Sequence, residues 1–411
     1  MNTQDQNQFD VLIVGAGMVG ATLACLLAAE PIRVGLLDKS PLKPEGIPEP
    51  FDARVSALTL ASRKLFNDLG LWQQIEAVRS CDYQEMHVWD ADGTGSIHFS
   101  GSEIGEPALG TIVENGIVLA ALHQRLQTIT NLEILPPQSI DSLVSQGGET
   151  DNRISVVTDT GGQITTRLLV AADGANSKIR ELARFKTREW EYGHQAIVTT
   201  VRTAKPHQMT AWQRFMETGP LAFLPLQSGP DSSDQHFSSI VWSTLPDQAD
   251  TLMGLSDEAF CKALTEAFEA TLGPVESCAK RFSFPLRQRH AIDYVQPGIA
   301  LVGDAAHTIH PLAGQGVNLG LLDAVALANE LSRGISSGRE PGDITLLKRY
   351  QRARSGHNLS MMWLMEGFKH LFAGQALSVR WLRNLGLNSV DSMPVVKNQL
   401  ARKAMGLDYA G

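Results

Sequence analysis

Short apolar runs that stop at a glycine or an aspartate are the dominant pattern along the chain. Such runs occupy residues 11–14, 32–37, 168–172 and 299–302, and each has the length and composition of a buried parallel strand. Residues 21–29 and 318–331, which follow two of these runs, are rich in Ala and Leu and predict helices. Buried strands that alternate with helices are typical of an α/β fold with a parallel sheet.

The pattern changes between residues 191 and 284, where alternating strand-like segments surround a single predicted helix at about 257–272. This predicts a mixed β-sheet domain inserted into the α/β domain. We therefore expect a discontinuous Rossmann-like domain (1–190 and 285–345), a substrate-binding sheet domain (191–284) and a C-terminal helical region (346–411). The hydrophobic positions Leu364, Phe368, Leu371 and Phe372 of the last region share one helix face, accompanied by Arg and Trp residues. That face fits packing on the core, packing on a dimer partner, or contact with a membrane surface.

The first strand leads into Gly15, Gly17 and Gly20, spaced as G-x-G-x-x-G, and the second strand ends at Asp38. This is the pattern of a dinucleotide-binding βαβ unit. Gly15 permits the tight turn, Gly17 lets the backbone approach a pyrophosphate, and Gly20 lets the helix pack closely on the strand. Asp38 is placed to accept hydrogen bonds from ribose hydroxyls.

Two later strands also end in an aspartate. Asp173 is followed by Gly174 and by Arg180 on the next predicted helix, where the arginine could hold Asp173 or a nucleotide phosphate. Gly303 and Asp304 precede a glycine-rich loop that leads to Asn318. The carboxyl ends of parallel strands are where open α/β sheets bind ligands, although an aspartate in either place could instead cap the following helix.

Composition narrows the function classes. The 411 residues carry a net charge of −9, without a long basic run, which argues against nucleic-acid binding. Four scattered cysteines suggest neither a disulfide framework nor a zinc site, and His307 with His310 lacks a third metal ligand. Residues 11–29 are uncharged but hold three glycines and lack a basic leader, so we expect a buried strand and helix rather than a membrane span or signal. A cytoplasmic protein is expected.

Three motifs carry a family resemblance. GAGMVG, ADGANSKIR and VGDAAHTIHPLAGQGVNLG resemble, in this order, the three fingerprints of group A flavoprotein monooxygenases of the para-hydroxybenzoate hydroxylase type. The third motif, with FDARVSAL, IVENGIV and the ending KNQLARKAMGL, is most similar to the ubiquinone-biosynthesis hydroxylases. The resemblance spans nearly the whole chain.

The resemblance implies site residues as well. Gly15, Gly17, Gly20 and Asp38 would hold the ADP half of FAD, and Asp173 with Gly174 belongs to the motif linked to FAD and NAD(P)H. Asp304 would bind the ribityl chain. Arg54 follows a loop near the nucleotide end, so it could pair with phosphate or flank the flavin ring, or be a surface arginine. Gly303, Arg180 and Asn318 complete the predicted cofactor-binding residues. The remaining predicted residues, at the reactive ring, are Pro311, Gly314, Gln315 and Gly316.

The implied activity is hydroxylation of an aromatic ring. FAD, NADH or NADPH as a transient reductant, and O₂ would act through a C4a-hydroperoxyflavin on a polyprenylated phenol or benzoquinol. The resemblance also leaves open a place in a ubiquinone-biosynthesis complex, peripheral contact with the inner face of the membrane, and a homo-oligomer. A hydroxylase of small soluble phenols and a non-catalytic flavin-binding scaffold are the alternatives. The motifs are divided between the hydroxylase of the methoxy-methyl benzoquinol and the ring C5 hydroxylase.

Overall fold

A parallel sheet and a larger, mainly antiparallel sheet form the framework of the protein. The computed structural model describes residues 7–44, 51–91, 95–148, 151–308, 316–373, 393, 397–399, 401–402 and 405–406. The strands, in chain order, are β1 (Gln8–Val14), β2 (Val34–Leu37), β3 (Val55–Leu58), β4 (Cys81–Tyr83), β5 (Glu85–Asp90), β6 (Ser96–Ser100), β7 (Gly110–Glu114), β8 (Leu132–Ile134), β9 (Ile140–Gly148), β10 (Asp151–Thr158), β11 (Gln163–Ala171), β12 (Thr187–Thr203), β13 (Thr210–Met216), β14 (Gly219–Pro225), β15 (Phe237–Thr244), β16 (Val275–Cys278), β17 (Phe282–Ala291), β18 (Val295–Gln296), β19 (Ile299–Leu301) and β20 (His307–Thr308).

Helices cover the parallel sheet and one face of the larger sheet. They are α1 (Met18–Leu26), α2 (Leu60–Asp68), α3 (Trp72–Val78), α4 (Asn115–Leu126), α5 (Lys178–Leu182), α6 (Pro246–Gly254), α7 (Asp257–Ala267), α8 (Gly316–Ser336) and α9 (Ile344–Ala373). Short 3₁₀ turns span Leu27–Ala29, Ser102–Ile104 and Gly303–Ala305.

The first sheet has the order β18-β19-β11-β1-β2-β8, and the hairpin of β9 and β10 is attached to β11. All neighbours from β19 to β8 are parallel, as the apolar runs predict. Because β1 is central while β2 and β11 lie on opposite sides of it, the strand order reverses next to β1. Such a reversal opens a crevice at the carboxyl ends of the strands.

Close packing of α1 against α8 fixes the helices over this sheet. A Cβ placed at Gly320 would lie 2.6 Å from a methyl carbon of Val19, and one placed at Gly20 would lie 1.9 Å from the carbonyl oxygen of Gly15. Both glycines therefore let backbones approach to distances that a side chain would prevent. The sheet, α1, α4, α8 and the start of α9 share one hydrophobic core that extends from Phe9 to Tyr350.

The second sheet has the order β20-β17-β12-β15-β14-β13-β5-β6, with β16 paired to β12. One face packs on α6 and α7, and the other packs against a three-stranded sheet of β3, β7 and β4. The sheet draws β5, β6 and β20 from outside residues 191–284, so it joins strands from both sides of the expected domain boundaries. This pairing depends on contacts distant in sequence.

Two local expectations need correction. The segment 191–284 contains a second helix, α6, in addition to α7, and α7 ends at Ala267 rather than near residue 272. Pro246 begins α6, and the helix has only nine residues. A helix this short is easily missed when the periodicity of apolar residues is assessed over a longer window. The predicted C-terminal helix is present as α9. The side chains of its predicted apolar face are outside those described, and so are Arg380, Trp381 and Arg383, which were predicted to accompany that face.

Candidate functional site

Four turns that the sequence analysis singled out meet at one edge of the parallel sheet. They follow β19, β11, β1 and β2, which are successive neighbours in the sheet. Backbone hydrogen bonds continue past the strand ends, from Ala172 N to Val14 O at 2.7 Å and from Val302 N to Ala171 O at 3.0 Å. The structure therefore brings together Asp304, Asp173, the glycine turn and Asp38, although nearly 290 residues separate the first and last of the four turns.

The glycine turn has the geometry that a phosphate-binding turn requires. Gly15 has φ +106°, and a Cβ there would lie 2.2 Å from the carbonyl oxygen of Ala172. Gly17 precedes the first residue of α1, and a Cβ placed there would lie more than 4 Å from every described residue other than its chain neighbours. One glycine is thus needed for packing, while the other leaves the backbone amides at the helix N-terminus open to a ligand.

Asp38 lies beside this turn, half-buried at the end of β2. Its carboxylate accepts hydrogen bonds from Ala16 N at 2.7 Å and Ser40 N at 2.8 Å. The residue also lines a cavity of about 220 Å³. The rest of that lining is mainly apolar and comprises Ala16, Leu36, Ser40, Pro41, Leu42, Gln127, Ile134, Leu135 and Pro137. An apolar cavity beside a carboxylate suits an adenine ring with its ribose.

One of the two carboxylate oxygens of Asp173 is used in hydrogen bonds within the protein. This oxygen accepts from the backbone amides of Lys178 at 2.7 Å and Ile179 at 3.2 Å, as a helix cap would. The other oxygen is buried and has no hydrogen-bond partner among the residues that the structure describes. Gly174, next in the chain, has φ +83°, which explains why glycine follows the aspartate. Both the capping interpretation and a remaining acceptor for a ligand fit this arrangement.

Arg180 is buried and ties two of the turns together. Its guanidinium donates to the carbonyl oxygens of Ala305 at 2.9 Å and Ala175 at 2.8 Å. Burial lowers the pKa of Arg180, and the charge of Arg289 lowers it further. The hydrogen bonds go to backbone carbonyls instead of to Asp173, so the structure gives Arg180 a role in joining the Asp173 and Asp304 turns.

Asp304 lies in the 3₁₀ turn after β19, where Gly303 has φ +59°. The carboxylate is exposed and has no hydrogen-bond partner within the described part of the chain. Protein atoms still crowd around it closely enough for burial to raise its pKa above the usual range, with Asp323 adding to the rise and His307 opposing it. An exposed acceptor with no protein partner is suited to ligand hydroxyl groups.

A buried ionic network supports this turn from behind. Asp323 on α8 accepts from Gly303 N at 3.1 Å, from Arg354 Nε at 2.8 Å and from Asn358 Nδ2 at 3.1 Å, and it also bonds His307. Burial alone would raise the pKa of Asp323, but the opposing charges of His307 and Arg354 hold it at about 2. The carboxylate is therefore ionised, and it fixes the backbone immediately before Asp304.

Asn318 plays a comparable role on the opposite side of α8. Its side-chain oxygen accepts from Thr59 N at 3.0 Å and Ser62 Oγ at 2.7 Å, and its amide nitrogen donates to Ala57 O at 2.7 Å. The residue is buried. Asn318 thus joins the start of α8 to β3 and α2, and its side chain serves the protein framework.

Arg54 is exposed immediately before β3. The backbone around it is held by Glu114, which accepts from Asp52 N at 2.6 Å and forms a buried ion pair with Arg79. The carbonyl of Arg54 itself accepts from Asn115 N at 2.9 Å. A rigid backbone with an exposed guanidinium is consistent with a role in binding an anionic or aromatic group.

Not every predicted residue lies within the described ranges. Pro311, Gly314 and Gln315 fall in residues 309–315, which are outside them. Gly316 is the first residue of α8, and a Cβ built on it would lie more than 4 Å from every described residue beyond its neighbours in the chain and helix. No helix of the described chain is long and apolar enough to span a bilayer. Within the same residues, no group of three or more His, Cys, Asp and Glu side chains could hold a metal ion.

Sequence reasoning missed Asp323 and Arg354. It also missed His123, whose buried ring contacts the backbone of Lys43 and Ala16. Asp323 had a signal, because it is the only charged residue between 316 and 329 and the helix there is otherwise suited to burial. Arg354 stands among other basic residues of the C-terminal region, and His123 lies in an ordinary amphipathic helix. Neither has a local feature that separates it from its neighbours.

Comparison with known proteins agrees with this geometry. A family described as FAD binding domain matches residues 8–362. The 3-demethoxyubiquinol 3-hydroxylase of Escherichia coli (strain K12) is 35% identical over 398 residues, which cover 97% of this chain and 98% of that protein. The mitochondrial ubiquinone biosynthesis monooxygenase COQ6 of Xenopus tropicalis is 33% identical over 443 residues, covering 95% and 92% of the two chains.

A solved structure shows the same fold at low sequence identity. The p-nitrophenol 4-monooxygenase PnpA from Pseudomonas putida DLL-E4 matches with a TM-score of 0.74 at 17% identity, covering 96% of this chain and 97% of that one. The family match and the two full-length relatives confirm the resemblance found in the three motifs. The chain belongs to the FAD-binding family of flavoprotein monooxygenases, together with the ubiquinone-biosynthesis hydroxylases.

Proposed function

We propose that this protein is an FAD-dependent monooxygenase that hydroxylates the aromatic ring of a polyprenylated phenol or benzoquinol in ubiquinone biosynthesis, with NADH or NADPH and O₂ as co-substrates. The observation that carries the proposal is the convergence of four turns at the carboxyl edge of the parallel sheet. They offer a cavity beside Asp38, an open Gly17, a free Asp304 carboxylate and the start of α8. Relatives named for ubiquinone biosynthesis support the substrate class.

The residues present fit FAD in an extended conformation. The cavity beside Asp38 would take the adenosine, and the amides at Gly17 would take the pyrophosphate. Asp304 would accept hydrogen bonds from the ribityl hydroxyls, and the amides at the N-terminus of α8, near Gly316, would stabilise negative charge on the flavin ring. Bound FAD would supply hydride acceptance from NAD(P)H and activation of O₂ for ring hydroxylation.

The protein's own contribution is to fix these groups relative to one another. Arg180 holds the Asp173 and Asp304 turns, Asp323 holds Gly303, and Asn318 holds α8 against the strand that follows Arg54. These contacts are formed by buried side chains that contact backbone atoms or other buried groups. Pre-set positions of this kind keep the reacting groups in register without reorganisation during the reaction.

Substrate-stimulated oxidation of NAD(P)H by the purified flavoprotein tests the proposal. We expect stimulation by a polyprenylated phenol, with oxygen incorporated into the ring, and a weaker response to a short-chain analogue. Equal turnover of both would favour the hydroxylase of small soluble phenols. FAD binding without NAD(P)H consumption would favour a flavin-binding scaffold. Quinone intermediates that accumulate in a deletion strain identify the ring position, and parallel assays with NADH and NADPH identify the reductant.

The same substrate class favours a cytoplasmic enzyme that contacts the inner face of the membrane, because a polyprenyl chain partitions into lipid. The biosynthetic complex and the homo-oligomer belong to this proposal as further associations. Flotation of the full chain with vesicles that contain a polyprenylated phenol tests membrane contact: recovery of the protein in the soluble fraction alone would contradict it. Sedimentation of the same preparation reports the oligomeric state.

A further inference from the structure

His123 contacts two separate parts of the proposed nucleotide site. It lies on α4 and is buried, with 7% of its surface exposed. Its Nδ1 atom is 2.9 Å from the backbone nitrogen of Lys43, and its Nε2 atom is 2.7 Å from the carbonyl oxygen of Ala16. Both nitrogens of one imidazole therefore contact backbone groups that are far apart in sequence.

These two contacts determine which nitrogen carries the proton. The backbone N–H of Lys43 can only donate, so Nδ1 must present its lone pair. The proton of the neutral ring then lies on Nε2, which donates to Ala16. This tautomer satisfies both neighbours, with an acceptor for Lys43 and a donor for Ala16 on opposite sides of one ring.

The two partners of His123 belong to the glycine turn and to the segment beside the cavity, which lie on either side of the predicted adenosine position. Ala16 stands between Gly15 and Gly17, and its own N–H donates to Asp38 at 2.7 Å, so the peptide groups on both sides of Ala16 are held. Lys43 directly follows Pro41 and Leu42, which line the cavity of about 220 Å³ beside Asp38. His123 thus links the turn at the pyrophosphate position to one wall of the cavity.

We infer that His123 is a positioning residue for the ADP half of the cofactor. It sets the distance between the glycine turn and the cavity wall and so selects for ligands that carry adenosine diphosphate. The inference rests on the proposed binding of FAD. A histidine that merely filled the core would affect folding stability without distinguishing one part of the cofactor from another.

Binding of three probes to the full chain stripped of flavin separates these roles. FAD and ADP contain the adenosine half, whereas FMN contains only the flavin half. In His123→Leu both hydrogen bonds are lost, and we expect the Kd for FAD and for ADP to rise about tenfold or more, since two hydrogen bonds that hold the site are removed. The Kd for FMN should stay within about twofold, because the Asp304 side of the site is unchanged.

Two conservative variants test the contacts one at a time. His123→Gln keeps a donor near the Nε2 position for Ala16, and His123→Asn keeps an acceptor near the Nδ1 position for Lys43. Each should recover part of the ADP affinity that His123→Leu loses, and each also serves if His123→Leu does not fold. Gln124→Leu, on the neighbouring exposed position of α4, is the matched control and should bind all three probes like the wild type.

The outcomes distinguish this inference from the proposal beneath it. Wild-type affinity for ADP in the His123 variants, or an equal loss of FAD, ADP and FMN affinity, would overturn the positioning role. If the unsubstituted protein bound neither FAD nor ADP, the proposed function would fail and the inference with it. Thermal unfolding of each variant without ligand shows whether any affinity change follows from a general loss of stability.

Discussion

Replacement of Asp323 by Asn tests whether the buried network holds the Asp304 turn. The Asp323 side chain has no exposed surface, and its two oxygens accept from Gly303, His307, Arg354 and Asn358. An asparagine keeps the shape but has no charge, and its NH₂ group must face a donor. Removal of one partner from a buried ion pair costs about 3–5 kcal/mol, so the free energy of unfolding should fall by that amount.

The depressed pKa of Asp323 leads to a second expected energy for the same group. The folded-state pKa of Asp323 is about 2, compared with an ordinary value of 3.8. A depressed carboxyl pKa stabilises the folded protein above the ordinary value, and this contribution of about 2 kcal/mol is lost as the pH falls from about 4 through 2. The substitution should cost more than protonation does, because protonation leaves both oxygens in place.

Urea unfolding at neutral pH, with FAD retention measured in parallel, checks the cost of the substitution. Urea unfolding of the unsubstituted protein at pH values between about 4 and 2 checks the contribution of the carboxylate charge. Asp68→Asn removes an exposed carboxylate that pairs with Lys64 at 2.6 Å and is the matched control, expected to cost less than about 0.5 kcal/mol. The Asp323 variant should also lose FAD more readily, because Gly303 loses its fixed acceptor. A loss of stability below about 1 kcal/mol would refute the reasoning, since it would mean that the network is not energetically coupled.

Three further predictions concern the site and its pH dependence. Asp304→Ala should weaken FAD binding about 10- to 100-fold in a fluorescence titration, because a hydrogen bond to a charged acceptor contributes about 1.5–3 kcal/mol. The free energy of unfolding should change by less than about 1 kcal/mol. Unchanged FAD affinity would leave Asp304 as a turn residue only. Gly15→Ala should destabilise the fold, since its Cβ would overlap a carbonyl oxygen. Gly17→Ala should leave urea unfolding unchanged and weaken FAD binding. A larger loss of stability in Gly17→Ala than in Gly15→Ala would contradict the assigned roles. Burial lowers the pKa of His290 to about 4, so between about pH 6.5 and 4 the unfolded chain binds one proton more than the folded protein. The free energy of unfolding should therefore fall as the pH drops through that window. His290→Gln should flatten this part of the plot of unfolding free energy against pH, and an unchanged slope would contradict the prediction.

The elements of the parallel sheet follow directly from the sequence. A buried strand on both faces of a sheet needs an uninterrupted apolar run, and the runs before Gly15, Asp38, Asp173 and Asp304 each became the expected strand. The glycine spacing also sufficed to predict the turn, because the positive φ of Gly15 and the open space at Gly17 depend mainly on local backbone geometry.

The hydrogen-bond partners of buried side chains were much harder to predict from the sequence. Arg180 was expected to meet Asp173 or a phosphate, but it donates to carbonyl groups on two turns. Cofactor binding by Asn318 stays a prediction, and the sequence did not reveal that its side chain bonds β3 and α2. The residue type was informative in both cases, since a buried arginine or asparagine must find hydrogen-bond partners. Ala175 is close to Arg180 in sequence, but Ala305 and the partners of Asn318 lie more than a hundred residues away in the chain.

The sequence by itself determined the α/β fold class, the dinucleotide turn and the family. Each of them depends on short segments: apolar runs, glycine spacing and motifs that can be recognised without knowing the distant contacts. Only the tertiary structure decided that β5 and β6 join the second sheet, that Asp323 supports the Asp304 turn, and that His123 links Ala16 to Lys43. Those arrangements arise when distant elements pack together and buried polar groups must be satisfied, and that requirement is met only once the whole chain has folded.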